Sequence, residues 1–173
     1  GRAGARATLT ASAVGYELRR TDQVLYTFTS AGRLLSIEDR NGQGVDLSYD
    51  AQGRVATVTD AAGGQAAVAY NASSLVSSVS TQDGRSVSYA YASGRLASVT
   101  DVRGKQWAYS YDAGGRLATV VDPLNHVQVT NVYGADGRVQ TQTDAVQQTT
   151  RFAWDAAQEI ATVTDANGKS WKH

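Results

Sequence analysis

Apolar and polar residues alternate in several short segments of this chain. In Trp107–Tyr111, for example, the residues at positions 107, 109 and 111 are aromatic, whereas Ala108 and Ser110 are small. A period of two residues is typical of a β-strand, whose successive side chains point to opposite faces of the sheet. The same alternation at three places predicts strands near residues 44–49, 86–91 and 106–111.

A second kind of segment has the form Leu-x-x-Val-x-Asp, as in Leu96–Asp101. Its apolar residues are three apart, so we expect Leu to pack at the turn or across a β-bulge. Val, Thr, Ser, Tyr and Gly are abundant and no apolar residues recur at helical spacing. We therefore predict no helix longer than two turns between residues 33 and 165.

These segments belong to an internal repeat of about 21 residues. Its first position is usually the Gly of a Gly-Arg pair and is occupied by Gly32, Gly53, Ser74, Gly94, Gly115, Gly137 and Gln158. Seven residues further on, the chain has Asp39, Asp60, Thr81, Asp101, Asp122, Asp144 and Asp165. An aromatic residue follows at Tyr49, Tyr70, Tyr91, Tyr111, Tyr133 and Trp154. A one-residue deletion precedes Gly94 and a one-residue insertion precedes Tyr133, changes that turns and bulges absorb.

Each repeat contains two turns, most of which begin with Asp and end with Gly. One follows the strand that ends at Asp39 and the other is Asp50–Arg54. Asp accepts hydrogen bonds from the backbone of a turn, and Gly adopts the left-handed conformation without strain. Each repeat is therefore predicted to be an antiparallel β-hairpin. Seven hairpins give about fourteen strands, more than a twisted open sheet usually tolerates, which predicts an all-β array forming a curled, spiralling sheet.

The repeat also suggests how the chain is divided. We expect residues 1–7 to be a linker or disordered, residues 8–30 to form a variant opening hairpin, and residues 31–173 to form the hairpin array. The absence of methionine suggests a segment excised or processed from a longer chain.

Composition and charge argue against several functional classes. Sixteen basic residues balance sixteen acidic ones, so the chain lacks the electrostatic signature of a nucleic-acid-binding protein. Its apolar stretches are too short to span a membrane. Without cysteine it has no disulfide and no thiolate nucleophile. His126 and His173 make a poor metal site without Cys partners, so no metal or cofactor is predicted.

The sequence GRLASVTDVRGKQWAYSYDAGGRL, at residues 94–117, resembles the YD repeat of Rhs proteins. The resemblance extends over about residues 15–172, although the repeats that begin at Ser74 and Gln158 lack the Gly-Arg pair. It implies a segment of a β-sheet ribbon that spirals into a hollow shell. In the bacterial members of the family, such a shell encloses a toxic C-terminal domain.

The residues that recur in the repeat are interpreted as structural rather than catalytic. A catalytic site is single, whereas these positions are periodic; they are Gly53, Arg54, Asp60, Tyr70, Gly94, Arg95, Asp101, Tyr109, Tyr111, Gly115, Arg116, Asp122 and Trp154. The aspartates could form a carboxylate pair of a glycosidase, but turn formation is favoured. The arginines could bind anionic sugars or pair with the Asp of a neighbouring strand. The aromatic residues could stack on sugars, but a place on the buried side of each hairpin is favoured.

These observations predict a non-catalytic wall segment of a bacterial Rhs-type shell, secreted or at the cell surface. Its expected partners are the remainder of a larger parent chain and an enclosed toxin domain, with no nucleic acid and no membrane span. The alternative is an extracellular carbohydrate-binding or self-assembling adhesive domain, with glycans as partners. Strand edges near residues 16–20 and 160–165 are expected to favour self-association.

Overall fold

The structure is a computed structural model that describes residues 7–172, and it contains strands and turns throughout that range. The chain divides into two compact units, residues 1–87 and 88–173, with the division inside β9. The first unit contains β1 Ala7–Ser12, β2 Gly15–Arg20, β3 Leu25–Thr29, β4 Leu34–Glu38, β5 Gly44–Tyr49, β6 Val55–Asp60, β7 Gln65–Tyr70 and β8 Val76–Thr81. The second contains most of β9 Ser86–Ala92 and all of β10 Arg95–Thr100, β11 Gln106–Tyr111, β12 Leu117–Val121, β13 Val127–Tyr133, β14 Val139–Asp144, β15 Thr149–Asp155, β16 Ile160–Thr164 and β17 Ser170–Lys172.

Within each unit, every strand pairs antiparallel with the strands before and after it in the chain. β5, for example, pairs with β4 through Ile37 and Val45, and with β6 through Leu47 and Val58. The predicted strands at 44–49, 86–91 and 106–111 coincide with β5, β9 and β11 to within one residue. The predicted fold class, an all-β array of antiparallel hairpin repeats, is confirmed.

Most turns share one geometry, in which a three-residue loop ends with a residue in the left-handed conformation. After β4, the Gly42 N–H donates to the Asp39 carbonyl and the Asp39 N–H donates to the Gln43 carbonyl. Gly42 has φ of 75°, as this type of hairpin loop requires. The corresponding residue in a later repeat, Gln147, adopts φ of 63° although it has a side chain. The hairpin geometry is therefore retained even where Gly is absent.

The one-residue deletion before Gly94 produces a tighter turn. Ala92 pairs directly with Arg95, leaving only Ser93 and Gly94 in the loop. Their φ angles are 50° and 76°, the left-handed pair of a two-residue type I′ hairpin. The shorter loop therefore connects β9 and β10 without disturbing their antiparallel pairing.

A bulge accounts for the spacing of Leu-x-x-Val. Tyr111 pairs with Leu117 and Ser110 pairs with Thr119, so Ala118 is the extra residue on β12. The bulge returns Val120, opposite Tyr109, to the face that carries Leu117. The same shift occurs in β4, β6, β8, β10 and β14. Of the two alternatives expected for Leu, the bulge is the one observed.

The one-residue insertion is also a bulge. Val121 pairs with Val127 and Val120 pairs with Val129, so Gln128 is the extra residue on β13. Its side-chain amide donates a 2.8 Å hydrogen bond to Asp122 Oδ2. The insertion is therefore accommodated beside the turn that begins at Asp122.

The two faces of the sheet in each unit differ in chemistry. One face carries aromatic and branched apolar side chains, such as Leu47 opposite Val58. The other carries small hydroxyl residues, and Ser48 Oγ lies 2.5 Å from Thr57 Oγ1 across the strands. The prediction that one side of each hairpin is buried overstates the burial. Residues 7–172 include no buried hydrophobic side chain, and only Ser36 among them, at 7% exposure, is buried. Among residues 7–172, each strand contacts only its neighbours in the chain within its unit, so no second layer from the same unit covers the apolar face there.

The opening segment has three strands, one more than the predicted hairpin. The expected strands and turn are present as β2 and β3, joined at Arg20–Val24. β1 precedes them and pairs along the whole of β2, so residues 16–20 are not the free edge that was predicted. Residues 160–165 are not a free edge either, because β17 pairs with β16. Ala7, the last residue of the expected linker, is instead the first residue of β1. The rest of the expected linker lies outside the described residues.

Candidate functional site

In four repeats the tyrosine hydroxyl forms a hydrogen bond from the second strand of the hairpin to the first strand of the same hairpin. The Tyr49 hydroxyl donates to the Leu34 carbonyl at 2.6 Å, and the Tyr111 hydroxyl donates to the Leu96 carbonyl at 2.9 Å. Tyr70 donates to the Val55 carbonyl at 2.9 Å, and Tyr133 donates to the Leu117 carbonyl at 2.8 Å. Every accepting carbonyl belongs to the residue that immediately precedes the bulge of its strand.

The register explains why a side chain is needed at this point. The pairing of β4 with β5 consists of three residue pairs and stops at Ser36 and Asp46. Leu34 and Tyr49 lie beyond that end, where the backbone groups of the two strands no longer meet. A phenol hydroxyl donates a hydrogen bond and extends far enough from the backbone to reach the neighbouring strand. Tyr49 therefore connects two strands at the point where their backbone pairing ends.

An arginine lies over each of these rings. The guanidinium carbon is 4.1 Å from the ring centre for Arg54 over Tyr70, and 4.5 Å for Arg116 over Tyr133. The remaining distances are 5.7 Å for Arg33 over Tyr49, 5.9 Å for Arg95 over Tyr111 and 5.0 Å for Arg138 over Trp154. Each is within the range of a cation–π contact. We call each combination an Arg–aromatic pair.

Two of the turn glycines also lie against an arginine of an Arg–aromatic pair. Gly53 has φ of 77°, and a Cβ atom there would overlap with the guanidinium of Arg33. Gly115 has the same φ and the same relation to Arg95. These two glycines therefore satisfy two requirements, a left-handed turn and the close approach of an arginine from the preceding repeat.

Three of these arginines form ion pairs within their own turn. Arg54 lies 2.8 Å from Asp50, Arg116 lies 2.7 Å from Asp112, and Arg138 lies 3.1 Å from Asp136. The sequence suggested the Asp of a neighbouring strand as partner, and that assignment is wrong for all three. Asp50 opens the very turn that Arg54 closes, so the two side chains meet across a three-residue loop.

The turn aspartates bind backbone N–H groups. Asp101 Oδ1 accepts from the N–H of Arg103 at 2.8 Å and of Lys105 at 2.9 Å. Asp60 accepts from Ala62 and Gly64 in the same way. The pKa of Asp101 lies below its ordinary value, chiefly because the carboxylate accepts the hydrogen bond from the N–H of Lys105. The pKa of Asp39 is lowered for the same reason, by the N–H of Gln43.

We expect the stability of the chain to fall in acid. Because the folded pKa values of Asp39 and Asp101 lie below their unfolded values, the unfolded chain takes up these protons first as the pH falls. The stabilisation is therefore fully present well above pH ~4, the ordinary pKa of Asp, and is lost as the pH falls through the folded pKa. Thermal melting followed by circular dichroism between pH 7 and pH 3 measures this loss.

Asp101→Asn is the matched variant for this measurement. Asn71 already opens one native turn and accepts from the N–H of Ser73 and Leu75, so Asn preserves the turn without a titrating group. The variant should show a smaller loss of melting temperature on acidification than the native chain. An equal loss in both would contradict a contribution from Asp101.

His126 lies in the turn that begins at Asp122. Its N–H donates to Asp122 Oδ1 at 2.8 Å and its Nδ1 lies 3.3 Å from Asp122 Oδ2. The described part of the chain contains no group of three His, Cys, Asp or Glu side chains placed to hold a metal. His173 lies outside the described residues. Nor does any helix in residues 7–172 have the length and apolarity needed to span a membrane.

Sequence reasoning identified the residues of the Arg–aromatic pairs but not their contacts. Each arginine precedes its aromatic partner by sixteen residues, or by seventeen where the Gln128 bulge intervenes. That constant interval was visible in the sequence. The phenol-to-carbonyl hydrogen bond was not, because it depends on where the pairing of two strands ends.

Fold and contacts together define a class of protein, an all-β hairpin repeat in which tyrosine connects the two strands of a hairpin and arginine reaches the turn that follows. The sequence profile of the RHS Repeat family matches residues 28–65, 92–127 and 133–170, which together make up more than half of the chain. The chain belongs to the RHS Repeat family. No curated protein matches it.

Solved structures share the fold at low sequence identity. The crystal structure of TcdB2-TccC3 matches 94% of this chain with a TM-score of 0.63 and 17% identity. The same complex without its hypervariable C-terminal region matches 90% with a TM-score of 0.62 and 16% identity. A mutant Tc holotoxin pore of Photorhabdus luminescens matches 89% with a TM-score of 0.57 and 13% identity. This chain spans only 10–11% of each of those chains.

Proposed function

We propose that this chain is a non-catalytic wall segment of a bacterial Rhs-type shell, secreted or at the cell surface, which encloses a toxin or other cargo. Its role is mechanical: consecutive hairpins extend a barrier between the cargo and the surroundings. The partners on this proposal are the rest of a larger parent chain and the enclosed domain.

The proposal is supported by the contacts that the repeated side chains make. The guanidinium groups of Arg54 and Arg116 bond to the Asp of their own turn, and the hydroxyl groups of Tyr70 and Tyr133 bond to the other strand of their own hairpin. A repeat built in this way uses the same side chains for structure in one hairpin after another, without creating a single reactive centre. The likeness to chains about ten times longer, one of them in a Tc holotoxin, supports a segment of a large assembly.

Protease protection of the parent chain tests the proposal. The parent gene should encode further repeats and a cargo domain. In the purified full-length parent, added protease should leave the cargo intact while the wall is folded and degrade it after thermal unfolding. Cryo-electron microscopy of the same sample should show the cargo inside a closed wall.

Two variants of the parent serve as a matched pair. Tyr111→Ala removes a connection between the two strands of a hairpin and should expose the cargo to protease at a lower temperature, whereas Tyr111→Phe keeps the ring and should change protection less. Cargo that is degraded in the intact native parent, or a parent gene without further repeats, would overturn the proposal.

A further inference from the structure

Two of the five asparagines in the chain are followed by glycine. They are Asn41 and Asn167, and each lies exposed in a three-residue loop that an aspartate opens, after β4 and after β16. The following glycine has φ of 75° at Gly42 and of 84° at Gly168. Each glycine N–H donates to the carbonyl of the opening aspartate, at 3.1 Å and 3.0 Å respectively. The two loops therefore share one backbone geometry.

The Asn-Gly sequence permits a reaction within the chain. The backbone nitrogen of the glycine attacks the side-chain carbonyl carbon of the asparagine, because no Cβ atom on the glycine hinders the approach. The nitrogen loses its proton to hydroxide, its new bond to Cγ closes a succinimide ring, and the bond from Cγ to Nδ2 breaks. The departing amide takes up a proton from water and leaves as ammonia. Water then opens the ring at either carbonyl, which gives aspartate or isoaspartate.

The side-chain amides of the two asparagines differ in their contacts. Asn41 Nδ2 donates to Asp39 Oδ2 at 3.3 Å, and this bond holds the amide back towards the start of its loop, away from the nitrogen of Gly42. Within residues 7–172 the amide of Asn167 makes no hydrogen bond, although its backbone N–H donates to Asp165 Oδ1 at 3.0 Å. The side chain of Asn167 is therefore free to turn its carbonyl carbon towards the next residue.

The strands that follow the two loops differ in burial. All three residues of β17, after Asn167, are exposed, whereas most residues of β5, after Asn41, are half-buried. The attack requires that the glycine N–H first leave the carbonyl of the opening aspartate, so the loop has to open locally. Segments with few buried contacts open most readily. The loop of Asn167 is therefore expected to reach the reactive geometry more often than the loop of Asn41.

We propose that Asn167 is a site of spontaneous deamidation, and that its turn protects Asn41 from the same reaction. Isoaspartate at position 167 routes the backbone through the side-chain carbon, which adds one methylene group to the loop between β16 and β17. The N–H of Gly168 then no longer lies where it bonds to the Asp165 carbonyl in the native loop. A second carboxylate also joins Asp165 in the same loop. The product should therefore hold β17 less firmly than the native turn does.

Peptide mass spectrometry of the 173-residue chain measures both sites in one sample. Trypsin places Asn41 in residues 41–54 and Asn167 in residues 152–169, and each peptide contains a single asparagine. In the folded chain at pH 8, Asn167 should react about fivefold faster than Asn41, the factor by which a hydrogen bond of ordinary net strength shifts an equilibrium. Isoaspartate should accompany aspartate, and both rates should fall at pH 6 because less hydroxide is present. In guanidinium chloride, where neither turn is formed, the two rates should converge.

Two variants are matched to native turns of the same chain. Asn167→Ala gives its loop the sequence of the native turn Asp60–Gly63, so the variant should fold and form no isoaspartate in the 152–169 peptide. Asp39→Asn removes the carboxylate oxygen that holds the Asn41 amide, and Asn71 already opens a native turn. This variant should react faster at Asn41 and at an unchanged rate at Asn167. Equal rates at the two sites in the folded native chain, no reaction of Asn167 there, or an unchanged rate at Asn41 in Asp39→Asn would overturn the proposal.

Discussion

Tyr111→Ala should lower the free energy of unfolding by about 2–3 kcal/mol. Truncating a fully buried aromatic residue costs about 3–5 kcal/mol, and this ring is half-buried. Its hydrogen bond to the Leu96 carbonyl adds about 1 kcal/mol, which is lost with the ring. The melting temperature should fall by about 5–10 °C, measured by circular dichroism at a single protein concentration.

Two further variants separate the ring from its hydroxyl group. Tyr111→Phe retains the contact with Arg95 and loses only the hydrogen bond, at a cost of about 1 kcal/mol. Tyr109 lies on the same face, and its hydroxyl forms no hydrogen bond within the described residues, so Tyr109→Phe should be nearly neutral. If Tyr111→Ala melted like the native chain, the Arg–aromatic pair would have no part in stability.

The fold could be predicted because each local signal agrees with the others. Period-two alternation identified β5 and β11, and Asp with Gly identified the turns between them. Loop chemistry also placed the two length changes near a turn, where the structure has the Ser93–Gly94 loop and the Gln128 bulge. These signals depend on neighbours in the sequence, so a single chain carries them.

Burial and partner choice could not be predicted in the same way. An alternating strand shows which face is apolar, but not whether a second layer covers it, and within either unit none of the described residues forms such a layer. Arg54 had acidic residues available on both sides, and the actual partner, Asp50, follows from the three-residue loop between them. The exposed position of Trp154 depends on a missing bulge, which the sequence of its repeat did not indicate.

Gly53→Ala should destabilise the chain more than the same substitution at Gly63. Both glycines are left-handed, with φ of 77° and 85°, so each variant bears the cost of about 1–2 kcal/mol for placing a side chain in that conformation. A Cβ at Gly63 meets nothing within 4 Å, whereas one at Gly53 displaces the guanidinium of Arg33. Gly53→Ala should therefore lose a further ~0.5–1 kcal/mol, the value of the cation–π contact of Arg33 with Tyr49.

A double-mutant cycle with Arg33→Ala isolates that difference. In the Arg33→Ala background no guanidinium is left to displace, so Gly53→Ala and Gly63→Ala should cost the same, each at the value of the left-handed conformation alone. Urea unfolding of the single and double variants gives the coupling free energy between positions 33 and 53. If the two glycine substitutions lower the free energy of unfolding equally in the native background, Arg33 moves away from the new Cβ without loss of stability. The contact of Arg33 with Tyr49 would then be a consequence of the turn geometry and would not stabilise the turn.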